Sequence, residues 1–361
     1  MSDDILMNLR LARTEQVGPV TYQRLMQVYG SAEAALDALP ELAKRGGRRN
    51  RLKPMSVADA TKELAATQKH GGTYLVWGQP PYPPHLAALP DAPPVLGAFG
   101  HVHLLDRDSV ALVGSRNASV AGMRLAHMLA EGLSQRQYII TSGLARGIDS
   151  AAHKASLETG TIAVLGNGIN HFYPKENEEL QNRVLQQGLI LCENPPDMPP
   201  QAALFPRRNR IIAGLSLGVI VVEAARRSGS LITAQLAGEY GREVMAVPGS
   251  PLDARCLGSN NLIRDGATLV ENVDDVLNVL SAYGNMQTNY RDMTPNKTPP
   301  PDISPDQRDQ IVASMGTVPV TIDDIVQSSG ASVPQVALVI LELELAGRLT
   351  QEAGGLLSLA Q

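Results

Sequence analysis

Residues 138–168 read YIITSGLARGIDSAAHKASLETGTIAVLGNG, with two short β-branched runs on either side of a helical stretch. The same alternation continues in both directions along the chain. Six such runs occur: VALVG (110–114), YIITSG (138–143), TIAVLGNG (161–168), LILCE (189–193), GVIVVEA (218–224) and EVMAVPG (243–249). Near-continuous apolar strands separated by helices are typical of a parallel sheet buried on both faces. We therefore predict an α/β fold, a Rossmann-like doubly wound parallel sheet.

Smaller helical domains are predicted on either side of this sheet. Residues 1–70 contain short helical stretches, and VGPVTYQRLMQVYGS (17–31) is typical of a helical hairpin turned by glycine. Residues 71–281 form the predicted Rossmann-like domain. Residues 282–304, with PNKTPPPD at their centre, predict a flexible linker because they contain few apolar side chains. Residues 305–361 contain three helical stretches, a Gly-Gly turn and LLSLA, an order that predicts a winged helix.

Length and composition limit the class of protein. With 361 residues, 43% of them hydrophobic, the chain can form two or three domains with packed cores. It has no run of about 18 apolar residues and no basic-then-apolar signal at its start. We therefore expect a cytoplasmic protein without a membrane partner. Cys192 and Cys256 are too few for a disulfide framework or a structural zinc site, so we expect buried thiols and no metal.

The net charge is distributed unevenly. The chain carries a formal charge of −5, which disfavours nucleic-acid binding because affinity for phosphates comes largely from Lys and Arg. Residues 302–361, however, contain eight acidic and two basic residues, so residues 1–301 carry a net charge of +1. The acidity belongs to the C-terminal segment, and the central domain remains a candidate for phosphate binding.

Glycine-rich turns follow nearly every predicted strand. Ligands of open parallel sheets bind at the carboxyl ends of the strands, where glycine allows close backbone approach and helix N-termini offer free N–H groups. A single turn of this kind can be a mere connection, but several on one edge predict a phosphate-binding groove. The residues assigned to it from these turns are Gly114, Ser115, Arg116, Ser142, Gly143, Arg146, Gly147, Ser228, Gly229 and Ser230.

A cluster of cations accompanies these turns. The run FPRRNRII (205–212) places arginines ahead of an apolar helical stretch, and Lys175 follows the third strand. We add this lysine and four residues of the run to the predicted groove: Lys175, Arg207, Arg208, Asn209 and Arg210. Several cations with several exposed amides suit a chain of phosphates better than a single phosphate. Phe172, Tyr173 and Phe205 could stack bases or simply pack, and the sequence leaves both interpretations open.

Motifs of nucleotide-dependent enzymes are absent. The chain has no GxxxxGK[ST] loop, and neither 114–122 nor 166–171 matches GxGxxG, so we expect no cofactor. Four candidate acids or bases lie near strand ends: Asp149, His153, Glu193 and Glu223. None forms a recognisable pair with a nucleophile. Asp149 and His153 are one helical turn apart, which allows mutual contact or helix capping by Asp149, and Glu223 could hold amides or arginines across the groove.

Long motifs in unbroken order resemble one bacterial family. LVGSRNAS (112–119), residues 138–177, residues 205–250 and LIRDGA (262–267) are similar to the DNA processing protein A (DprA/Smf) family. The resemblance covers about residues 70–280. It implies that the protein binds single-stranded DNA, protects incoming strands in natural transformation, and loads the RecA recombinase as a homodimer.

The resemblance also implies roles for individual residues. Gly114, Ser115 and Arg116 would bind phosphate, Lys175, Arg207, Arg208 and Arg210 would line the same path, and Ser142, Gly143 and residues 228–230 would contact the DNA backbone. In one departure, this chain has Gly258-Ser259-Asn260-Asn261 where the family often has Gly-Cys-Asn, which argues against a thiol role there. The flanking regions resemble the family's sterile-alpha-motif-like and winged-helix domains.

The two flanking domains differ in charge. The predicted third helix of the winged-helix domain, PQVALVILELELAG (334–347), offers Glu342 and Glu344 and no cation before Arg348. Such a helix would repel phosphates, so we predict that this domain contacts protein, in another subunit, a partner or its own chain, rather than duplex DNA. A basic segment in the N-terminal domain could be an auxiliary phosphate contact or a solvated loop: Lys44, Arg45, Arg48, Arg49, Arg51 and Lys53.

An enzymatic alternative comes from the same sheet edge. Its pattern also resembles the lysine-decarboxylase-like phosphoribohydrolases, which carry a PGGxGTxxE motif. The nearest segment, SGSLITAQ (228–235), lacks that spacing and ends in Gln, which cannot act as a carboxylate acid or base. The sequence therefore favours binding of single-stranded DNA without catalysis.

Overall fold

The described chain, residues 2–284, 302–351 and 355–360 of a computed structural model, divides into two units. We call residues 63–284 the sheet unit. The described residues of 1–62 and 302–360 together form the terminal unit. The predicted N-terminal helical domain and winged helix therefore belong to one unit, although the sheet separates them in sequence.

Eleven strands occur in the described residues. They are β1 (Gly72–Val76), β2 (Val95–Gly100), β3 (Ser109–Gly114), β4 (Ile139–Ser142), β5 (Thr161–Leu165), β6 (Leu189–Cys192), β7 (Gly218–Val222), β8 (Glu243–Ala246), β9 (Thr268–Leu269), β10 (Leu349–Gln351) and β11 (Leu357–Leu359). The first nine form one sheet in the order β1-β2-β6-β5-β4-β3-β7-β8-β9. Pairs β1–β2 and β2–β6 are antiparallel, and the remaining pairs are parallel.

Helices connect the strands and form both ends of the chain. The described helices are α1 (Ser2–Ala12), α2 (Pro19–Tyr29), α3 (Ala32–Arg45), α4 (Val57–Lys69), α5 (Pro84–Ala87), α6 (Val120–Gln135), α7 (Ile148–Ser156), α8 (Glu178–Gln187), α9 (Leu204–Leu215), α10 (Gly229–Glu239), α11 (Leu257–Arg264), α12 (Val273–Gly284), α13 (Pro305–Ala313), α14 (Ile322–Ser329) and α15 (Val333–Leu345). Short 3-10 helices occur at Val102–Asp106 and Lys175–Asn177.

The central strands confirm the predicted doubly wound sheet. Strands β3 to β8 coincide with the six apolar runs, and every residue of β4 to β7 is buried. Val110 and Leu112 of β3 pack with Leu129 of α6 and Ile148 of α7. Strands β1 and β2 flank a proline-rich segment, residues 77–94, and extend the sheet beyond the six predicted strands.

The strand order reverses between β3 and β7. From β3 the chain winds outward through β4 and β5 to β6, and it then returns through α9 to place β7 on the other side of β3. In an open parallel sheet this reversal leaves a crevice between the loops that follow the two strands. The topology therefore places the β3–α6 and β7–α10 turns on opposite sides of one opening.

Helix α15 is the core of the terminal unit. Ile340 and Leu343 pack with Ile311 of α13 and Ile325 of α14, and α15 also contacts α2 and α3. Gly46, directly after α3, lies so close to α15 that a Cβ there would overlap the carbonyl group of Glu342. Contact on several sides explains the continuous apolar sequence of this helix.

Both acids of α15 have a cation partner. Arg308 Nε and Nη2 donate to the Glu342 carboxylate at 2.8 and 3.1 Å, and Arg24 donates to Glu344 at 2.8 Å. The side chain of Glu342 is only 1% exposed. The prediction that these two acids are offered to the surroundings is therefore wrong, because neighbouring helices of the same unit cover and neutralise them.

The predicted boundary between the Rossmann-like domain and the linker falls inside a helix. Helix α12 continues to Gly284, so residues 282–284 of the predicted linker are helical, and residues 285–301 lie outside the described residues.

Cys192 and Cys256 are buried free thiols. Among the described residues no single helix is long and apolar enough to cross a membrane; α14 and α15 meet that criterion only as a pair, bent by 114°.

Candidate functional site

A cleft of about 650 Å³ opens where the strand order reverses. We call it the switch-point cleft. Its walls come from the turns after β3 and β7 and from the first turns of α9 and α10. Eight predicted site residues line it: Gly114, Ser115, Arg116, Arg208, Asn209, Ser228, Gly229 and Ser230. The structure thus brings together turns that are far apart in the sequence.

Glu223, directly after β7, holds the β3–α6 turn in place. The Ser115 amide donates to the Glu223 carbonyl at 2.7 Å, and the Ser119 amide donates to its carboxylate at 2.8 Å. The Ser119 hydroxyl also donates to this carboxylate and caps α6 by accepting from the Gly122 amide. Glu223 adopts a positive φ of 55°, a strained conformation for a residue with a side chain. Of its two predicted roles, the structure supports the one in which it binds amides.

One wall of the cleft is a stack of three side chains. The rings of Tyr173 and Phe205 lie 4.9 Å apart and are inclined by 28°, and the Arg116 guanidinium carbon lies 5.7 Å from the centroid of Phe205. Within the described residues Arg116 forms no ion pair, although its charge acts on the buried Asp149, and its side chain is exposed. The stack offers an apolar face beside an unneutralised cation. Phe172 is exposed but does not belong to it.

Arg208 forms part of the floor. It donates to the carbonyl groups of Gly143, at 2.7 Å, and Val164, and so ties the ends of β4 and β5 to α9. Burial lowers the pKa of Arg208 to about 10, with the attraction of Asp149 opposing the shift. The guanidinium is therefore still charged at neutral pH, and it adds positive potential beneath the cleft.

The N-terminus of α10 forms the opposite wall. The Ser228 hydroxyl caps this helix by accepting from the Ser230 amide, and the two hydroxyls lie 2.7 Å apart. Asn209 donates to the Gly229 carbonyl at 3.2 Å, which joins α9 to this turn. Arg227 is exposed on the same wall, and no acidic partner occurs for it in the described chain. The helix terminus therefore supplies partial positive charge beside a free cation.

Several predicted site residues have other positions. Ser142 is fully buried and donates to the Leu112 carbonyl, so its predicted role as a ligand is wrong. Gly143 is buried as well, and its amide donates to Asp149, which leaves it no free donor for a ligand. Arg210 pairs with Glu193 at 2.6 Å and does not line the cleft. Successive residues on a helix point about 100° apart, so α9 directs its arginines to different neighbours.

The remaining predicted residues lie beside the cleft. Arg146 lines a narrow recess next to it and pairs weakly with Glu176 at 3.5 Å. Gly147 adopts a φ of 74°, and a Cβ there would overlap the Ser115 carbonyl. Lys175 and Arg207 are exposed cations that are not among the residues lining the cleft.

The four candidate acids and bases are all engaged by protein partners. Asp149 accepts from the amides of Gly143 and Ala145, at 3.1 and 3.2 Å, rather than from its own helix. Burial raises the pKa of Asp149, although Arg208 and these amides oppose the effect. His153 lies 2.8 Å from the Thr161 hydroxyl, and burial lowers its pKa to about 3, so the ring is neutral. Neither alternative for Asp149, contact with His153 or capping of its own helix, is therefore observed.

Some lining residues were not predicted. Asn117, Gln201, Arg227 and Thr233 contribute to the cleft. Arg227 directly precedes the predicted Ser228–Ser230 turn, so extending that turn by one cation would have found it. Gln201 carries no such signal, because it lies in the irregular segment before α9.

The basic segment of the N-terminal domain is partly neutralised. Arg48 pairs with Glu15 at 2.9 Å and also donates to the Leu345 carbonyl, and Arg45 pairs with Glu41 at 3.2 Å. These contacts lie within the terminal unit. They show that Arg45 and Arg48 pair within the unit, a role that neither predicted alternative, a phosphate contact or a solvated loop, included. The described residues contain no group of three or more His, Cys, Asp or Glu side chains that could hold a metal.

Three family models match the chain. The model described as DNA recombination-mediator protein A matches residues 73–281, which is more than half of the chain. A DprA-like N-terminal HHH domain matches residues 2–66, and a DprA winged helix domain matches residues 295–355.

Curated relatives and solved structures agree with these models. Protein Smf of Escherichia coli is 43% identical over 283 residues, covering 76% of this chain and 74% of the relative. The X-ray structure of DNA processing protein A from Streptococcus pneumoniae has 39% identity and a TM-score of 0.65, and covers 75% of this chain and 95% of that one. A Helicobacter pylori structure, described as giving the single-stranded DNA binding mode of its DNA processing protein A, has 30% identity and a TM-score of 0.53, covering 58% and 96%. The chain therefore belongs to the DNA recombination-mediator protein A (DprA/Smf) family.

Proposed function

We propose that the chain binds single-stranded DNA in the switch-point cleft and carries out no chemistry on it. The observation that supports this most is the Tyr173–Phe205–Arg116 stack. Aromatic faces that stack bases, next to cations that meet phosphates, are the usual means by which proteins hold single strands without reading their sequence. The Helicobacter pylori relative, described as binding single-stranded DNA, supports the same assignment.

The charge balance of the cleft fits a polyanion. Its charged lining residues among those described are Arg116, Arg208, Arg227 and Asp149. The single acid is buried and satisfied by amides, whereas two of the cations are exposed. A site of this kind gains affinity by releasing counterions from the nucleic acid, and its affinity should fall as salt increases.

Binding rather than catalysis is supported by the state of the titratable groups. A general acid or base must reach the substrate with a free polar atom. Glu193 is paired with Arg210, Glu223 holds Ser119, and His153 is buried. Release of free base from nucleoside monophosphates by the purified protein would contradict this proposal.

Family membership supports the finer assignments. We propose that the protein acts in the cytoplasm as a homodimer joined through its Rossmann-like domain. We also propose that it protects incoming strands in natural transformation and loads RecA onto them for recombination. These roles require the protein to transfer an intact DNA strand to RecA. A cleft that binds the strand without cleaving it suits that transfer.

The winged-helix domain is proposed to contact protein rather than duplex DNA. The contacts of α15 with Arg24 and Gly46 support its own N-terminal domain as that protein. A recognition helix must enter the major groove of duplex DNA with polar side chains that are free to contact the bases. Glu342 and Glu344 are acidic, and both are already paired.

The central test is the affinity of labelled oligo-dT for Arg116→Ala, measured by fluorescence anisotropy at several salt concentrations. We expect about tenfold weaker binding at about 0.1 M salt, and a salt slope lower by about 0.7, because one phosphate contact is lost. Arg183→Ala is the matched control, since Arg183 is an exposed cation of α8 outside the cleft. Equal affinity and slope for wild type and Arg116→Ala would remove the proposal.

A further inference from the structure

A second groove, of about 700 Å³, lies between α6 and α7 of the sheet unit. We call it the α6–α7 groove. Its charged lining residues are Arg124, Arg146, Lys154 and Glu176, and His127 and two methionines line it as well. Arg124, His127 and Lys154 do not line the switch-point cleft, so the proposed function gives them no role.

The groove carries unneutralised positive charge. Arg124 and Lys154 are exposed, and neither has an ion-pair or hydrogen-bond partner in the described part of the chain. Arg146 and Glu176 pair at 3.5 Å, but both side chains are more than half exposed, so solvent screens the pair. Lining cations therefore outnumber the single lining acid, and the groove complements an anion.

Exposed apolar side chains accompany these cations. Met123 and Met128 are 37% and 54% exposed, and they line the same groove as Arg124. Methionine adapts its shape to flat or irregular partners. Cations and adaptable apolar side chains in one groove suit a strand that presents phosphates on one side and unpaired bases on the other.

The groove is continuous with the switch-point cleft. Arg146 lines both the α6–α7 groove and the narrow recess next to the cleft. Arg116 and Arg208 line that recess as well as the cleft. At Gly147 the backbone of the α7 turn lies directly against the carbonyl groups of Ser115 and Arg116. A strand that leaves the cleft past Arg116 therefore meets Arg146 next.

We propose that the α6–α7 groove binds a second stretch of the same single strand that occupies the switch-point cleft. The inference rests on the proposed function and extends it, because it gives the strand a direction across the surface. Short strands are held by the cleft alone. Longer strands gain the contacts of Arg124 and Lys154.

The test compares two lengths of labelled oligo-dT, about 6 and about 25 nucleotides, on the full chain. For Arg124→Ala/Lys154→Ala we expect about tenfold weaker binding of the long strand at about 0.1 M salt and unchanged binding of the short one. The matched control is Lys69→Ala/Arg183→Ala, which removes two exposed cations of the same unit that line neither site. Arg116→Ala should weaken both lengths.

The outcomes separate this inference from the function on which it rests. If Arg116→Ala weakens both lengths but the groove variant weakens neither, or weakens both equally, the second contact is wrong and the cleft stands. If Arg116→Ala affects neither length, the proposed function itself fails. Unchanged DNA binding together with a lower mass in sedimentation would assign the groove to a second copy of the chain and overturn the inference.

Discussion

The cations of the switch-point cleft and the acids of α15 are treated in opposite ways by the fold. Arg116 and Arg227 are exposed at a glycine-rich edge, and neither forms an ion pair in the described chain. Glu342 and Glu344 each have an arginine within 2.8 Å. An exposed charge left without an ion pair at the edge of a cleft indicates a ligand. A charge that is buried and paired indicates a contact within the protein.

Burial explains why the acids of α15 require partners. An ionised carboxylate loses its hydration on burial, and this cost is met only by close, well-oriented donors. The two-bond contact of Arg308 with Glu342 has that geometry. Arg116 remains largely hydrated, so it needs no such partner and can exchange water for phosphate. The comparison therefore predicts that variants in the two regions fail in different assays.

The largest expected effect is on stability, from Arg308→Ala. This variant leaves the Glu342 carboxylate buried without its cation, and we expect the terminal unit to lose about 3–5 kcal/mol of unfolding free energy. Urea titration, monitored through amide hydrogen exchange in α15, measures this loss. The double variant Arg308→Met/Glu342→Leu should recover most of it, because an apolar pair of similar volume has no charge to compensate. A wild-type unfolding profile for Arg308→Ala would show that the pair contributes little.

A smaller effect is expected from Gly46→Ala. The added Cβ overlaps the carbonyl group of Glu342, so α3 and α15 must separate, at a cost of about 1–3 kcal/mol. Gly18→Ala is the control, since a Cβ there meets no atom within 4 Å. Both variants should bind oligo-dT as wild type does. A gain of salt-sensitive duplex binding by Gly46→Ala would contradict the proposal that α15 serves only as a protein contact.

The smallest effect concerns the pH dependence of Glu344. Burial raises its pKa above the ordinary value of 4.5, with Arg24 and Thr21 opposing the shift. A raised pKa means that the folded state holds the proton more tightly than the unfolded state. Its contribution to stability is therefore complete below pH 4.5 and is lost as pH rises through the folded pKa. Glu344→Gln should remove this decline in unfolding experiments across that range, and an identical pH profile for variant and wild type would refute the assignment.

The fold class and part of the site followed from local sequence patterns. Six apolar runs separated by helical stretches predict a parallel sheet wherever they occur, because each strand must be buried on both faces. Glycines and serines at strand ends predicted the walls of the cleft, and Arg116 was found because it directly follows one of these turns. These inferences depend on residues adjacent in sequence, so no knowledge of packing was needed.

The direction of each side chain was decided only by the tertiary structure. The run from Arg207 to Arg210 predicted one basic surface, yet Arg208 binds strand-end carbonyls and Arg210 pairs with Glu193. Likewise, the acids of α15 suggested an exposed helix until Arg24 and Arg308 were brought against them. The sequence shows which charged residues exist, but their ion-pair partners come from segments up to 320 positions away. Only the folded chain therefore determines which charges remain free to bind a ligand.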